Sequence, residues 1–169
     1  MIQNVGNQLL ACLTVAAQAA DNPPKNFGFL PGQQAIEDLS AYDDLCCDGT
    51  AYVRFSSRYP SGNFPEPDGG QRNCDPVAWA VVWELGIMRC ADPGTVNHIV
   101  TMAEWSVINT QHLTDEATLC AAVASYKSLY SSGANDAGVL IGVGSPLGPA
   151  GRCIAQILSV TTQIIGCGP

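Results

Sequence analysis

Arg152-Cys153-Ile154-Ala155-Gln156-Ile157-Leu158-Ser159-Val160-Thr161-Thr162-Gln163-Ile164-Ile165 is the stretch on which the fold turns. Ile154, Leu158, Val160 and Ile164 fall mostly on one side of an extended chain, and Cys153, Ser159, Thr161 and Gln163 on the other. That period of two predicts a half-buried closing strand over residues 151–166. Residues 77–90 repeat the pattern: Trp79, Val81, Trp83, Leu85 and Ile87 alternate with Ala80, Val82, Glu84, Gly86 and Met88. One face is bulky and the other small or polar, as expected of a long strand in a sheet covered on one side. Residues 50–59, opened by the turn signal Asp48-Gly49, put Ala51, Val53 and Phe55 on one face. They are expected to pair antiparallel with 77–90 across a Pro/Gly-rich loop spanning 59–76.

Working outward, residues 1–20 carry Ile2, Val5, Leu9, Cys12, Leu13, Ala16 and Ala20 at helical spacing, which predicts an amphipathic N-terminal helix. The same segment has a short apolar run and a small-residue Ala17-Gln18-Ala19 step, but no Lys or Arg before it, so a secretory signal is the weaker reading. Asn22-Pro23-Pro24 breaks the chain, and residues 27–45 hold at most a short strand or turn before the acids Glu37, Asp38, Asp43 and Asp44. Asp92-Pro93 reads as a helix start running to about Asn109. A second central helix is expected from Thr114 or Asp115, with Asp115 and Glu116 in its first turn, ending at Ser131-Ser132-Gly133. Residues 139–143 suggest a short strand and 144–149 a turn-rich connection. The expected architecture is one α+β domain over 1–169: an antiparallel or mixed β-sheet with an N-terminal helix and two central helices packed on it.

Composition narrows the function. Hydrophobic residues make up 47% and charged ones 13%, which excludes general disorder. Net charge is −8 and no two basic residues are adjacent, so the chain is not built to grip nucleic acid phosphates. No run of about 18 apolar residues predicts a membrane span. The eight cysteines, Cys12, Cys46, Cys47, Cys74, Cys90, Cys120, Cys153 and Cys167, are scattered among the expected elements rather than packed into a loop-rich framework, so mostly buried thiols are expected.

No metal motif is present in the sequence: there is no C-x-x-C, H-x₃₋₅-H or H-E-x-x-H, and His98 and His112 stand far from any cysteine in sequence. The chain lacks G-x-S-x-G, and Gly142-Val143-Gly144 is followed by Pro146 rather than a phosphate-binding helix. No catalytic, cofactor or metal residues are therefore expected. The candidate partner contact is residues 58–68, with Arg58, Tyr59, Phe64, Pro65, Glu66, Pro67 and Asp68; the competing expectation is that this loop folds back over the sheet.

The stretches Ala51-Tyr52-Val53-Arg54-Phe55, Tyr59-Pro60-Ser61, Phe64-Pro65-Glu66-Pro67-Asp68 with Cys74, Glu84-Leu85-Gly86-Ile87-Met88-Arg89-Cys90-Ala91, and Gly148-Pro149-Ala150-Gly151-Arg152-Cys153 resemble the virion-neck proteins of long-tailed actinobacterial phages. The element order is similar to that of siphophage tail terminator proteins. This resemblance spans most of residues 2–165 but leaves 27–45 unmatched. It implies a non-enzymatic homohexameric ring that caps the tail tube, meets the major tail tube protein on one face and the head-to-tail stopper or connector on the other, and lets genomic DNA pass through its lumen. Assembly in the host cytoplasm, reduced thiols during assembly and a final place in the virion neck follow from it. The rival readings are another connector component, a stopper or adaptor, and a secreted disulfide-stabilised binding domain.

Overall fold

A computed structural model describes residues 2–30, 48–68, 78–90, 101–130, 138–150 and 153–165. They form helix α1 (Ile2–Gln18), strands β1 (Asn26–Phe29), β2 (Thr50–Pro60) and β3 (Ala78–Cys90), helix α2 (Met102–Tyr130), and strands β4 (Val139–Ala150) and β5 (Cys153–Ile165). The five strands make one mixed sheet in the order β1-β2-β3-β5-β4. β1 runs parallel to β2, and the other neighbours are antiparallel. The α+β class, the N-terminal helix and the antiparallel pairing of 50–59 with 77–90 are as the alternation predicts.

Both helices cover the sheet face that carries Ala51, Val53, Val81, Trp83, Leu85, Ile87, Leu158, Val160 and Ile164. α1 contributes Leu9, Leu13 and Ala17, none with any exposed surface, and α2 contributes Leu119, Ala122, Val123 and Tyr126. A buried Leu is worth about 1.5–3 kcal/mol relative to an exposed one, so α1 is a substantial part of this core. Its Gly6 lies against the Trp83 ring, where an added Cβ would sit 3.0 Å away. The Trp83 indole N–H donates to Thr162 Oγ1 at 3.0 Å, so its polar atom is satisfied inside the core. Cleavage near Ala19, as the signal reading requires, would strip this helix from the sheet.

Three expectations need correction. α2 is continuous where a break near residues 109–114 is expected. Thr110, Thr114 and Thr118 donate their hydroxyls to the carbonyls of Ser106, Thr110 and Thr114, so these polar side chains are satisfied within one helix. Its start is a capping box: Thr101 Oγ1 accepts from the Glu104 N–H at 3.3 Å, and the Thr101 N–H donates to Glu104 Oε2 at 2.7 Å. Asp115 is therefore a mid-helix residue and not a first-turn acid. Second, β4 runs through 144–149, expected as a turn; it is an edge strand with a register shift between Ile141 and Gly144. Third, Cys153 is disulfide-bonded, an exception among the mostly buried thiols expected, whereas Cys12, Cys90 and Cys120 are thiols and Cys90 is exposed. Burial raises the pKa of both Cys12 and Cys120, which keeps them protonated and inert. The weak short strand expected after residue 27 is β1. The helix start at Asp92-Pro93, His98, the acids at 37–44 and Cys46, Cys47, Cys74 and Cys167 lie outside the described residues.

Candidate functional site

The loop chosen as a partner contact closes largely on itself. Tyr59 donates its hydroxyl to the Pro65 carbonyl at 2.9 Å, and Asp68 Oδ2 accepts from the Gly62 N–H at 2.8 Å. The Asp68 N–H donates to the Pro60 carbonyl at 2.9 Å, and Asn63 and Glu66 form a bridge across the turn. The Phe64–Pro65 peptide is cis. The Phe64 ring packs against Gly138, where it occupies the place a Cβ would take. Arg58 stacks on the Trp79 ring at 5.1 Å. Tyr59, Phe64 and Pro65 are thus brought together to lock the turn onto the sheet, while Arg58, Glu66 and Pro67 remain exposed. The fold-back expectation describes the aromatic part of this loop, and Arg58, Glu66 and Pro67 are its exposed part.

Two buried polar clusters escaped the sequence reading. On the helix-covered face, the Arg89 guanidinium forks onto Asp115: Nε donates to Oδ2 at 2.8 Å and Nη2 to Oδ1 at 2.8 Å. Nη1 donates to the Asn22 carbonyl at 2.6 Å, and Gln111 Nε2 donates to Asp115 Oδ1 at 3.1 Å. The pair ties the end of β3 to the middle of α2 and to the chain leaving α1. On the opposite face, the Tyr52 hydroxyl donates to Glu84 Oε1 at 3.0 Å, and Arg54 forms an ion pair with Glu84 Oε2. The β2–β3 register, which sets Arg54 directly across from Glu84, was the available signal for this cluster.

In both clusters the charges are paired, Arg54 with Glu84 and Arg89 with Asp115. A cleft of about 260 Å³ is lined by Asn22, Lys25, Asp48, Arg89, Cys90 and Gln111. Its two cations are already paired, Arg89 with Asp115 and Lys25 with Asp48 at 2.6 Å, so it offers no uncompensated charge to a ligand. His112, next to this cluster on α2, is buried and hydrogen-bonds Gln156. Its Nδ1 is buried with no hydrogen-bond partner among the described residues. Among the described residues no group of three His, Cys, Asp or Glu side chains converges to hold a metal ion.

Burial lowers the His112 pKa, and the nearby Asp115 carboxylate only partly opposes this. The unfolded chain therefore binds a proton more readily than the folded one. His112 stabilises the fold above its unfolded pKa of about 6.5, and that contribution is lost as pH falls through the lower folded value. Urea unfolding midpoints followed from neutral to acid pH are expected to fall less steeply in His112→Gln than in wild type. Equal slopes would show that the imidazole protonates freely in the fold.

No known protein family matches this chain, and neither does any curated protein.

Proposed function

We propose that this chain is a structural assembly subunit without catalytic activity: a ring-forming tail terminator that caps the tail tube of a long-tailed phage. In this reading one face of a homohexameric ring meets the major tail tube protein and the other the head-side stopper or connector. Genomic DNA passes through the lumen without being held, in keeping with the −8 net charge.

The observation that carries the assembly reading is the first three turns of α2. From residue 112 onward α2 buries His112, Asp115, Leu119, Ala122, Val123 and Tyr126 against the sheet. Residues 102–111 bury nothing, yet they carry Met102, Trp105 and Val107 at 82%, 41% and 70% exposure. Trp105 and Ile108 continue the inward stripe of His112, Asp115 and Leu119 past the edge of the core. A helix that extends its core-facing stripe beyond its own core fits packing against a neighbouring subunit. A heterologous contact of that kind, repeated by rotation, closes a ring. The neck-protein resemblance supplies the phage context, and exposed Arg58, Glu66 and Pro67 are the residues we assign to the tube or the connector.

Native mass spectrometry of the full chain, alone and with tail tube protein, tests this. Six-fold rings or capped, length-limited tubes are expected, and Trp105→Glu is expected to abolish them while leaving the circular dichroism spectrum unchanged. A protein that stays monomeric at high concentration and also fails to cap tubes would overturn the reading. A twelve-fold ring binding portal instead would assign the adaptor layer. The disulfide at Cys153 favours a secreted binding domain as the second reading. The core position of α1 weighs against the version in which residues 1–19 are removed. Intact mass of the protein recovered from its native source separates the two.

A further inference from the structure

β1 and β4 are the two ends of the sheet, and neither has a second neighbour among the described residues. Phe29 on β1 and Leu140 and Ile141 on β4 are 47%, 43% and 47% exposed, so both edges hold apolar side chains in water. We propose that β4 of one copy pairs antiparallel with β1 of the next, so that the sheet runs on from subunit to subunit. This rests on the ring reading and names the strands through which the ring closes.

Backbone direction is the first argument. The Gln163 N–H donates to the Gly138 carbonyl, which turns Gly138 and Leu140 toward β5 and leaves the backbone groups of Val139 and Ile141 pointing outward. On β1, the Asn26 N–H donates to the Gly49 carbonyl and the Leu30 N–H to the Val53 carbonyl. Asn26, Gly28 and Leu30 therefore face β2, and Phe27 and Phe29 present their backbone groups outward. β1 runs with β2 and β5, and β4 runs against them. Two copies set side by side in one orientation thus bring β4 and β1 together as an antiparallel pair. Such a contact joins two different surfaces, which is what closing a ring by rotation requires.

One register uses every outward residue. Ile141 lies across from Phe27 of the next copy and Val139 across from Phe29, each pair exchanging both N–H···O bonds. The faces agree as well. Val139 and Phe27 pack with the helix-covered core, and Phe29 lies against Gly6 of α1, so the paired residues share the helix face. On the other face Leu140 falls across from Gly28, in the non-hydrogen-bonded position where side chains come closest. No described atom lies within 4 Å of a Cβ placed on Gly28, so the leucine has an open seat there. The lower part of β4 is closed to a partner strand. Its register shifts between Ile141 and Gly144, and Pro146 turns outward with no N–H to give. The edge that remains, residues 139–141, matches the short β1.

Proline at an outward-facing residue removes one N–H from the edge and none from the internal ladder. Ile141→Pro and Phe29→Pro are each expected to abolish the rings that native mass spectrometry finds for the full-length wild type with tail tube protein, with the circular dichroism spectrum unchanged. Mixed one to one, the two variants are expected to form heterodimers and nothing larger, because the intact β1 of the first meets the intact β4 of the second. Where a proline chain does not fold, Leu140→Asp and Gly28→Asp take its place, and the same losses and the same heterodimers are expected. Rings that persist in both single variants would overturn the strand contact and leave the ring reading standing. Wild-type assembly by Phe29→Pro alone would show β4 pairing with another β4 and would overturn it too, as would a mixture without heterodimers. A wild type that forms no ring, with or without tube protein, would overturn both.

Discussion

Arg89→Met is expected to lower the unfolding free energy by about 3–5 kcal/mol. Asp115 keeps only 3% of its side-chain surface in water, and its other side-chain partner is the Gln111 amide. Without the guanidinium, a carboxylate is left in the core with one neutral donor, and the Asn22 carbonyl loses its donor as well. The charge must then be neutralised or the middle of α2 must move out to hydrate it. Arg89→Lys should recover little of the loss, because an ammonium cannot reproduce the fork that reaches both carboxylate oxygens and the Asn22 carbonyl together. Arg89→Met combined with Asp115→Leu should come back to within about 2 kcal/mol of wild type, since removing both charges removes the desolvation penalty. Urea denaturation of the four proteins provides the measurement. A cost below about 1 kcal/mol for Arg89→Met would mean that the pair is solvated and does not anchor α2 to β3.

This ion pair also marks where sequence reading stopped. β3 and β5 were legible because their alternation spans a dozen residues each, long enough for period two to stand out from chance. α1 was legible for the same reason at period 3.6. Arg89 and Asp115 lie 26 positions apart on different elements, and Asp115 looked like a first-turn acid as long as α2 was read as two helices. The Thr101–Glu104 capping box stands in the sequence at the start of the described helix, nine residues after the Asp92-Pro93 start signal. β4 hid behind Gly142, Gly144, Pro146, Gly148 and Pro149, which read as a turn. An edge strand tolerates them: Pro146 faces Gln156 in a pair whose backbone groups turn away from β5, so its missing N–H removes no ladder bond. Of the chosen contact residues, the loop's own hydrogen bonds take up Tyr59, Pro65 and Asp68, and local sequence shows nothing of Phe64 meeting Gly138, 74 positions later by subtraction of the two residue numbers.

The second large effect is expected at Gly86, in the middle of β3. Glycine in a strand interior is ordinarily a weak point, and alanine there would gain about 0.5–1 kcal/mol by reducing the freedom of the unfolded chain. At Gly86 the sign reverses. Tyr52, directly across on β2, lays its ring over the Gly86 Cα, and an added Cβ would fall inside the ring's van der Waals envelope. The ring has nowhere to go: Tyr52 is fully buried, and its hydroxyl is held by Glu84, which also pairs with Arg54. Accommodating even a methyl group therefore means rotating the ring off its hydrogen bond or spreading β2 from β3. Gly86→Ala is expected to cost about 3 kcal/mol, the upper part of the range for overpacking, and Gly86→Val more. A double-mutant cycle with Tyr52→Val isolates the cause. Tyr52→Val alone should destabilise by removing a buried ring and leaving Glu84 short of a donor, but Gly86→Ala in that background should cost close to nothing or stabilise. The coupling between the two sites should thus reach about 2–3 kcal/mol, at the strong end for residues in contact. Additive effects would mean that the ring does not lie over Gly86. The polar cluster on the sheet face opposite the helices would then lack the fixed tyrosine that orders it.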